Sequence, residues 1–171
     1  MPALTVIAPD QLDRDGAPML SEFGHRFLAE GDSWFTLGTL NPLKNANLLL
    51  ALRFSQSHIA VSCAMPGDTL AKMVDWRRDP VFVGLLSGRT ARNWDGLLLS
   101  AGGNDLIAAI KTPATRDGQA VPLDKRLMRT QAEWGPVGEG AARYTSEAGW
   151  NTFADYLRTN FDELIALRDR G

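Results

Sequence analysis

The stretch "HIAVSCAMPG", residues 58–67, decides the fold class. Its core "IAVSCA" is a short, nearly continuous apolar run that stops at a proline-glycine turn. Such a run is expected of a strand covered on both faces, as in a parallel sheet. Two other segments end in the same way: "HRFLAEGDS", 25–33, and "WDGLLLSAGGND", 94–105. Helix-like segments lie between and after these runs. "LKNANLLLALRF" (43–54) follows the first strand, "DTLAKMVDW" (68–76) the second, and "DPVFVGLLSG" (79–88) predicts a short helix closing at Gly88. This alternation predicts an α/β domain of parallel strands joined by right-handed crossovers.

Residues 111–144 are rich in Pro, Gly and charge and predict a long loop insertion, with a short helix at 124–133. An excursion of that length is either a functional wall or lid, or a solvated insertion. The last segment is the clearest helix. Trp150, Phe153, Leu157, Phe161, Leu164 and Ile165 recur at spacings of three and four, forming one apolar stripe, and Thr145 or Ser146 is suited to cap its start.

The 171 residues suffice for one domain with a substantial core, and no repeat divides them. A net charge of -2, with scattered arginines, gives no electrostatic ground for binding nucleic acid or an anionic membrane. No apolar window is long enough for a membrane span. One cysteine, Cys63, excludes an intramolecular disulfide, and the N-terminus has no secretory signal pattern, which together fit a cytoplasmic location. Cys63, inside an apolar strand, reads as a buried structural thiol. The five tryptophans read mostly as core, with Trp34 the exception because it follows a serine. Two histidines and one cysteine do not make a metal site.

In an open parallel sheet, ligands bind beyond the carboxyl ends of the strands, where strand order reverses. With the order 2-1-3 for the three expected strands, Ser33, Gly67 and Asn104 all follow strand ends on that edge. Taken singly, Ser33 reads as a cap or turn serine and Gly67 as a turn glycine. Asp32 and Asp105 read as turn-stabilising carboxylates that bond nearby backbone amides.

"GDSWF", the Gly67 turn and "GGND", with about 70 residues between serine and asparagine, resemble the first three blocks of the SGNH, or GDSL, hydrolases. The resemblance covers roughly residues 25–110 and extends weakly through the final helix. It implies a three-layer α/β/α sandwich of the flavodoxin-like type and a serine esterase or lipase that needs no cofactor. It assigns the nucleophile to Ser33, with Gly67 N–H and the Asn104 side chain joining the Ser33 amide in an oxyanion hole. The chemistry suits those types: fixed donors stabilise the developing oxyanion, and losing one costs on the order of 10²–10³ in rate.

The family takes its general base from a later D-x-x-H block, and no histidine follows residue 58. His25 and His58 begin their strands, so both belong at the opposite sheet edge from Ser33, with His25 about 25 Å away for a fully extended strand. Three strands also leave strand three with an unpaired edge. Two expectations follow. The chain is the N-terminal portion of a longer ester hydrolase whose missing segment, or a second copy, covers the sheet edge; alternatively, it is a non-catalytic binding or assembly module of the same architecture.

Overall fold

The computed structural model describes residues 1–36 and 47–171. They form two compact units, Met1–Ala101 with Glu163–Gly171, and Gly102–Asp162.

The first unit holds a four-stranded parallel sheet. Its strands are β1 (Thr5–Ile7), β2 (Arg26–Gly31), β3 (Ile59–Ser62) and β4 (Gly96–Ser100), in the order β1-β3-β2-β4. The three strands expected from the apolar runs therefore lie as 2-1-3. The fourth, β1, pairs with β3 from Thr5↔Ile59 to Ile7↔Val61. Its "TVI" is too short to show any period, so this strand carries no signal in the sequence. β4 pairs with β2 alone among the described residues.

Alternation along the strands builds two cores. Leu28, Ile59 and Val61 face one side with α4 (Pro80–Ser87), whose Phe82 and Leu86 are buried there, and with Leu164 and Leu167 of α6 (Glu147–Arg170). Ala29, Ala60 and Phe27 face the other side with Leu49 and Phe35. Both faces carry helical residues, as a parallel sheet requires. Asp79 caps α4 by accepting from Phe82 N at 3.0 Å, with Pro80 at the first helical position, so this helix matches its sequence signal end to end.

Other helical expectations shorten. α2 is Leu48–Ala51 and α3 is Leu70–Met73, each a single turn, and α1 (Ser33–Thr36) adds a helical start that the sequence did not signal. Of the helix expected over 43–54, residues 43–46 lie outside the described residues, and the chain is already extended at Leu52, where Arg53 bridges to Ala3. The neighbouring strand edge takes those residues before a second turn can form.

In the second unit, α5 (Gly103–Ile110) leads into 111–144. The loop contains a hairpin of β5 (Thr115–Arg116) and β6 (Gln119–Ala120), turned by Asp117 and Gly118 with φ of 51° and 77°. Two successive positive φ values are the chemistry of a two-residue Asp-Gly turn, so "RDGQ" carried a hairpin signal. The helix expected at 124–133 is replaced by two 3₁₀ turns, Leu123–Lys125 and Gln131–Glu133. Between them the buried Arg126 donates to Val121 O at 2.8 Å, Met128 O at 2.5 Å and Glu133 Oε1 at 2.6 Å. One guanidinium satisfies two loop carbonyls and pairs one carboxylate, which orders a segment too polar to collapse by itself. Ser146 starts α6, its Oγ accepting from Gly149 N at 3.1 Å. The apolar stripe of α6 is only partly covered: Leu164 is buried, whereas Trp150, Phe161 and Ile165 are exposed.

Four of the five tryptophans, Trp34, Trp76, Trp134 and Trp150, are also exposed, so core packing does not account for them. Trp94 packs against the α4 core and donates its indole N–H to Leu85 O at 2.8 Å.

Candidate active site

The strand order reverses direction around β2: the chain goes from β2 to its neighbour β3, then crosses to β4 on the other side. The reversal point thus lies at the carboxyl ends of β2 and β4, where Gly31 and Ser100 stand in register. Ser33 opens α1 two residues past the end of β2.

Asp32, not Ser33, caps that turn. Its carboxylate Oδ1 accepts from Trp34 N at 3.1 Å and from Ser100 Oγ at 2.7 Å, while its own amide donates to Ser100 O at 3.1 Å. Its carbonyl accepts from Phe35 N. The carboxylate is therefore spent on backbone and strand anchoring, as its turn position suggests. The Ser33 amide is one of the first-turn donors with no partner inside the helix, and no hydrogen bond among the described residues engages its hydroxyl. The half-buried Ser33 makes no cap, so of its ordinary readings only that of a turn serine stands.

Gly67 follows β3, the neighbour of β2 on its other side. Met65 N donates to Gly31 O at 2.9 Å, so the segment leaving β3 is tied to the end of β2 just before the serine turn. Gly67 follows two residues later with φ of +84°, a left-handed conformation that favours glycine, and its surroundings leave the position open. Its carbonyl takes Lys72 Nζ at 3.3 Å, and no described residue accepts its N–H. Gly31 is required for a different reason. A Cβ there would stand 2.8 Å from Ser100 Cβ and 3.0 Å from Ser100 O, so the glycine of "GDS" lets β4 approach.

Asn104 lies in the first turn of α5, four residues past the end of β4 and within the second unit. It is half-buried. Its neighbour Asp105 is buried and accepts the Tyr156 hydroxyl, which ties α5 to α6 inside that unit. Asp105 is thus structural, as its position suggests, with the phenol of another helix as a partner.

The two histidines sit where strand polarity predicts, just before β2 and β3. His25 is exposed; His58 is buried among Phe27 and Phe54, with the two imidazole rings 4.8 Å apart. Parallel strands carry both to the amino edge, so neither serves Ser33. Cys63 is buried, and burial together with the charges of Glu30 and Asp79 pushes its thiol pKa up, as befits an unreactive thiol.

One group escaped the sequence reading. Glu30, Asp68 and Asp79 each bring a carboxylate oxygen to within 4.8 Å of the others. Glu30 is fully buried, and burial, then the charge of Asp79, pushes its carboxyl up to about 9. The available signal was an acid at the closing, otherwise apolar end of a strand, "FLAEG". Two cavities of about 630 and 730 Å³ also occur in the first unit, and neither is lined by Ser33 or Gly67. No described helix is long and apolar enough to cross a membrane.

The residues thus define a parallel α/β sheet with a serine turn at its switch point. Comparison with protein-family models, with curated proteins and with solved structures finds no match.

Proposed function

We propose that the chain is the nucleophile-bearing part of an SGNH-type serine hydrolase acting on small-molecule esters, with the three-layer sandwich of that family. The observation that carries this reading is the state of Ser33: first residue of a turn capped by Asp32, with an amide and a hydroxyl that no described residue occupies. Ser33 Oγ attacks the ester carbonyl, and the tetrahedral oxyanion is received by the Ser33 and Gly67 amides. Asn104 Nδ2 is assigned the third donor on its block resemblance and its place after β4. The alcohol leaves, and water then releases the acyl group from Ser33. A histidine outside this sequence takes the serine proton and returns it to the alcohol. No organic cofactor enters the reaction.

The test is labelling by a fluorophosphonate of the product of the complete reading frame, with peptide mapping. Label on Ser33 that disappears in Ser33→Ala supports the assignment. Label that persists in Ser33→Ala, or a complete product that never reacts, refutes it. A second reading, a binding module without turnover, is favoured by one observation: both histidines stand at the amino edge of the sheet. That reading predicts ester binding with no Ser33 labelling in the complete product.

A further inference from the structure

Glu30, Asp68 and Asp79 come from three separate segments: the end of β2, the turn after β3 and the cap of α4. The fold, not local sequence, brings them together. Two of the three are already held by one oxygen each. Glu30 Oε1 accepts Gly31 N–H at 2.7 Å and Asp79 Oδ1 accepts Phe82 N–H at 3.0 Å. The other oxygens, Glu30 Oε2 and Asp79 Oδ2, are buried and accept no hydrogen bond from any described donor. Glu30 as a whole is 0 % exposed. An orphaned, fully buried carboxylate oxygen of Glu30 beside that of Asp79 is not stable as two bare charges; a proton or a cation has to enter. A single proton can join Glu30 to Asp79. A cation neutralises the same pair and also engages Asp68, which now pairs with Lys72.

We propose that Glu30, Asp68 and Asp79 bind a calcium ion. All-oxygen, all-anionic donors select a hard divalent cation over zinc or copper. Coordination habit separates the hard cations: magnesium demands near-ideal octahedral geometry and gives up its water reluctantly, whereas calcium accepts irregular sets of carboxylates. The oxygens here lie within 4.8 Å of one another, on three separate segments, close enough for small side-chain shifts to bring them onto one calcium ion. Lys72 Nζ, 3.6 Å from Asp68 Oδ1, is the local counter-charge, on a side chain exposed enough to swing away when the ion enters. Asp79 also lines the cavity of about 730 Å³ bounded by Pro9, Met65 and Arg92, which gives the ion and its remaining water ligands a route. The cation would fix the ends of β2 and β3 against α4, one strand residue from the Gly31-Asp32 turn; its binding does not depend on any reaction at Ser33.

The experiment titrates calcium chloride into chelator-stripped protein by calorimetry, with magnesium chloride as comparator and thermal melting as a second readout. The expected result is one calcium per chain, a melting temperature that rises with calcium, and weaker binding of magnesium. Glu30→Gln, which keeps the shape of a protonated glutamate, and Asp79→Asn, which keeps the helix cap, should each weaken calcium binding on the order of tenfold or more. Absence of both heat and melting shift at millimolar calcium overturns the proposal, leaving the trio as a proton-sharing cluster. So does calcium binding unchanged in both folded variants, or tighter binding of magnesium.

Discussion

Replacing Glu30 by glutamine tests the physics of the buried acid directly. In the chelator-stripped protein, Glu30 is wholly buried and its carboxyl is held up to about 9, first by burial and then by the charge of Asp79, against 4.5 in the unfolded chain. The sign follows from linkage. Below pH 4.5 both states carry the proton and the group leaves stability untouched by pH. Between 4.5 and about 9 the unfolded chain releases a proton that the folded chain keeps, so stability falls as pH rises. One proton gives a slope of up to about 1.4 kcal/mol per pH unit, and therefore on the order of 4 kcal/mol between pH 5 and 8. Glutamine fills the same space without an ionisable group and should erase that slope. Urea unfolding followed by tryptophan fluorescence reads this out, because Trp94 packs on the α4 core. Every other titrating group is common to both proteins, so the difference between their curves isolates Glu30 together with its coupling to Asp79. The variant should match the parent near pH 5 and exceed it clearly at pH 8. Parallel curves across that range would refute the buried, proton-holding Glu30.

Three further outcomes follow from the packing. Gly31→Ala forces a methyl to within 2.8 Å of Ser100 Cβ and should cost about 1–3 kcal/mol in urea unfolding; an unchanged midpoint would contradict the β2–β4 approach. Phe82→Ala empties a fully buried site between α4 and the sheet and should cost about 3–5 kcal/mol; a loss below 1 kcal/mol would mean that α4 is not docked as described. In the second unit, Arg126 and then Thr130 hold the Glu133 carboxyl down at about 2, so their contribution is present above pH 4.5 and fades as pH falls towards 2. Proteolysis of 121–133 should therefore quicken on acidification in the parent and be pH-independent from that source in Glu133→Gln.

The elements with a strong local signal were legible. Three apolar runs ending in small-residue turns specified strands β2, β3 and β4, and Asp79-Pro80 with Gly88 bounded α4, because cap chemistry and burial on both faces act over a few residues. The position of Ser33 and Gly67 beyond strand ends was equally readable, as was the exclusion of both histidines, since parallel strands fix which end each residue occupies. β1 was not legible: three residues carry no period, and only pairing with β3 makes them a strand. The helix over 43–54 is described as one turn because Arg53 bridges to Ala3, and that over 68–76 ends after Leu70–Met73, where Asp75 accepts Arg77 N–H and turns the chain.

What chain order determined by itself was polarity: which turns share the carboxyl edge, and that no imidazole does. What only tertiary structure decided was partnership. Asp32 caps the turn so that Ser33 need not, Tyr156 on a distant helix reaches Asp105, and three acids spread over fifty residues meet around two orphaned oxygens. The reason is that a strand fixes direction through its own backbone, whereas the company a side chain keeps is set by neighbours that the sheet and its crossovers bring from far along the sequence.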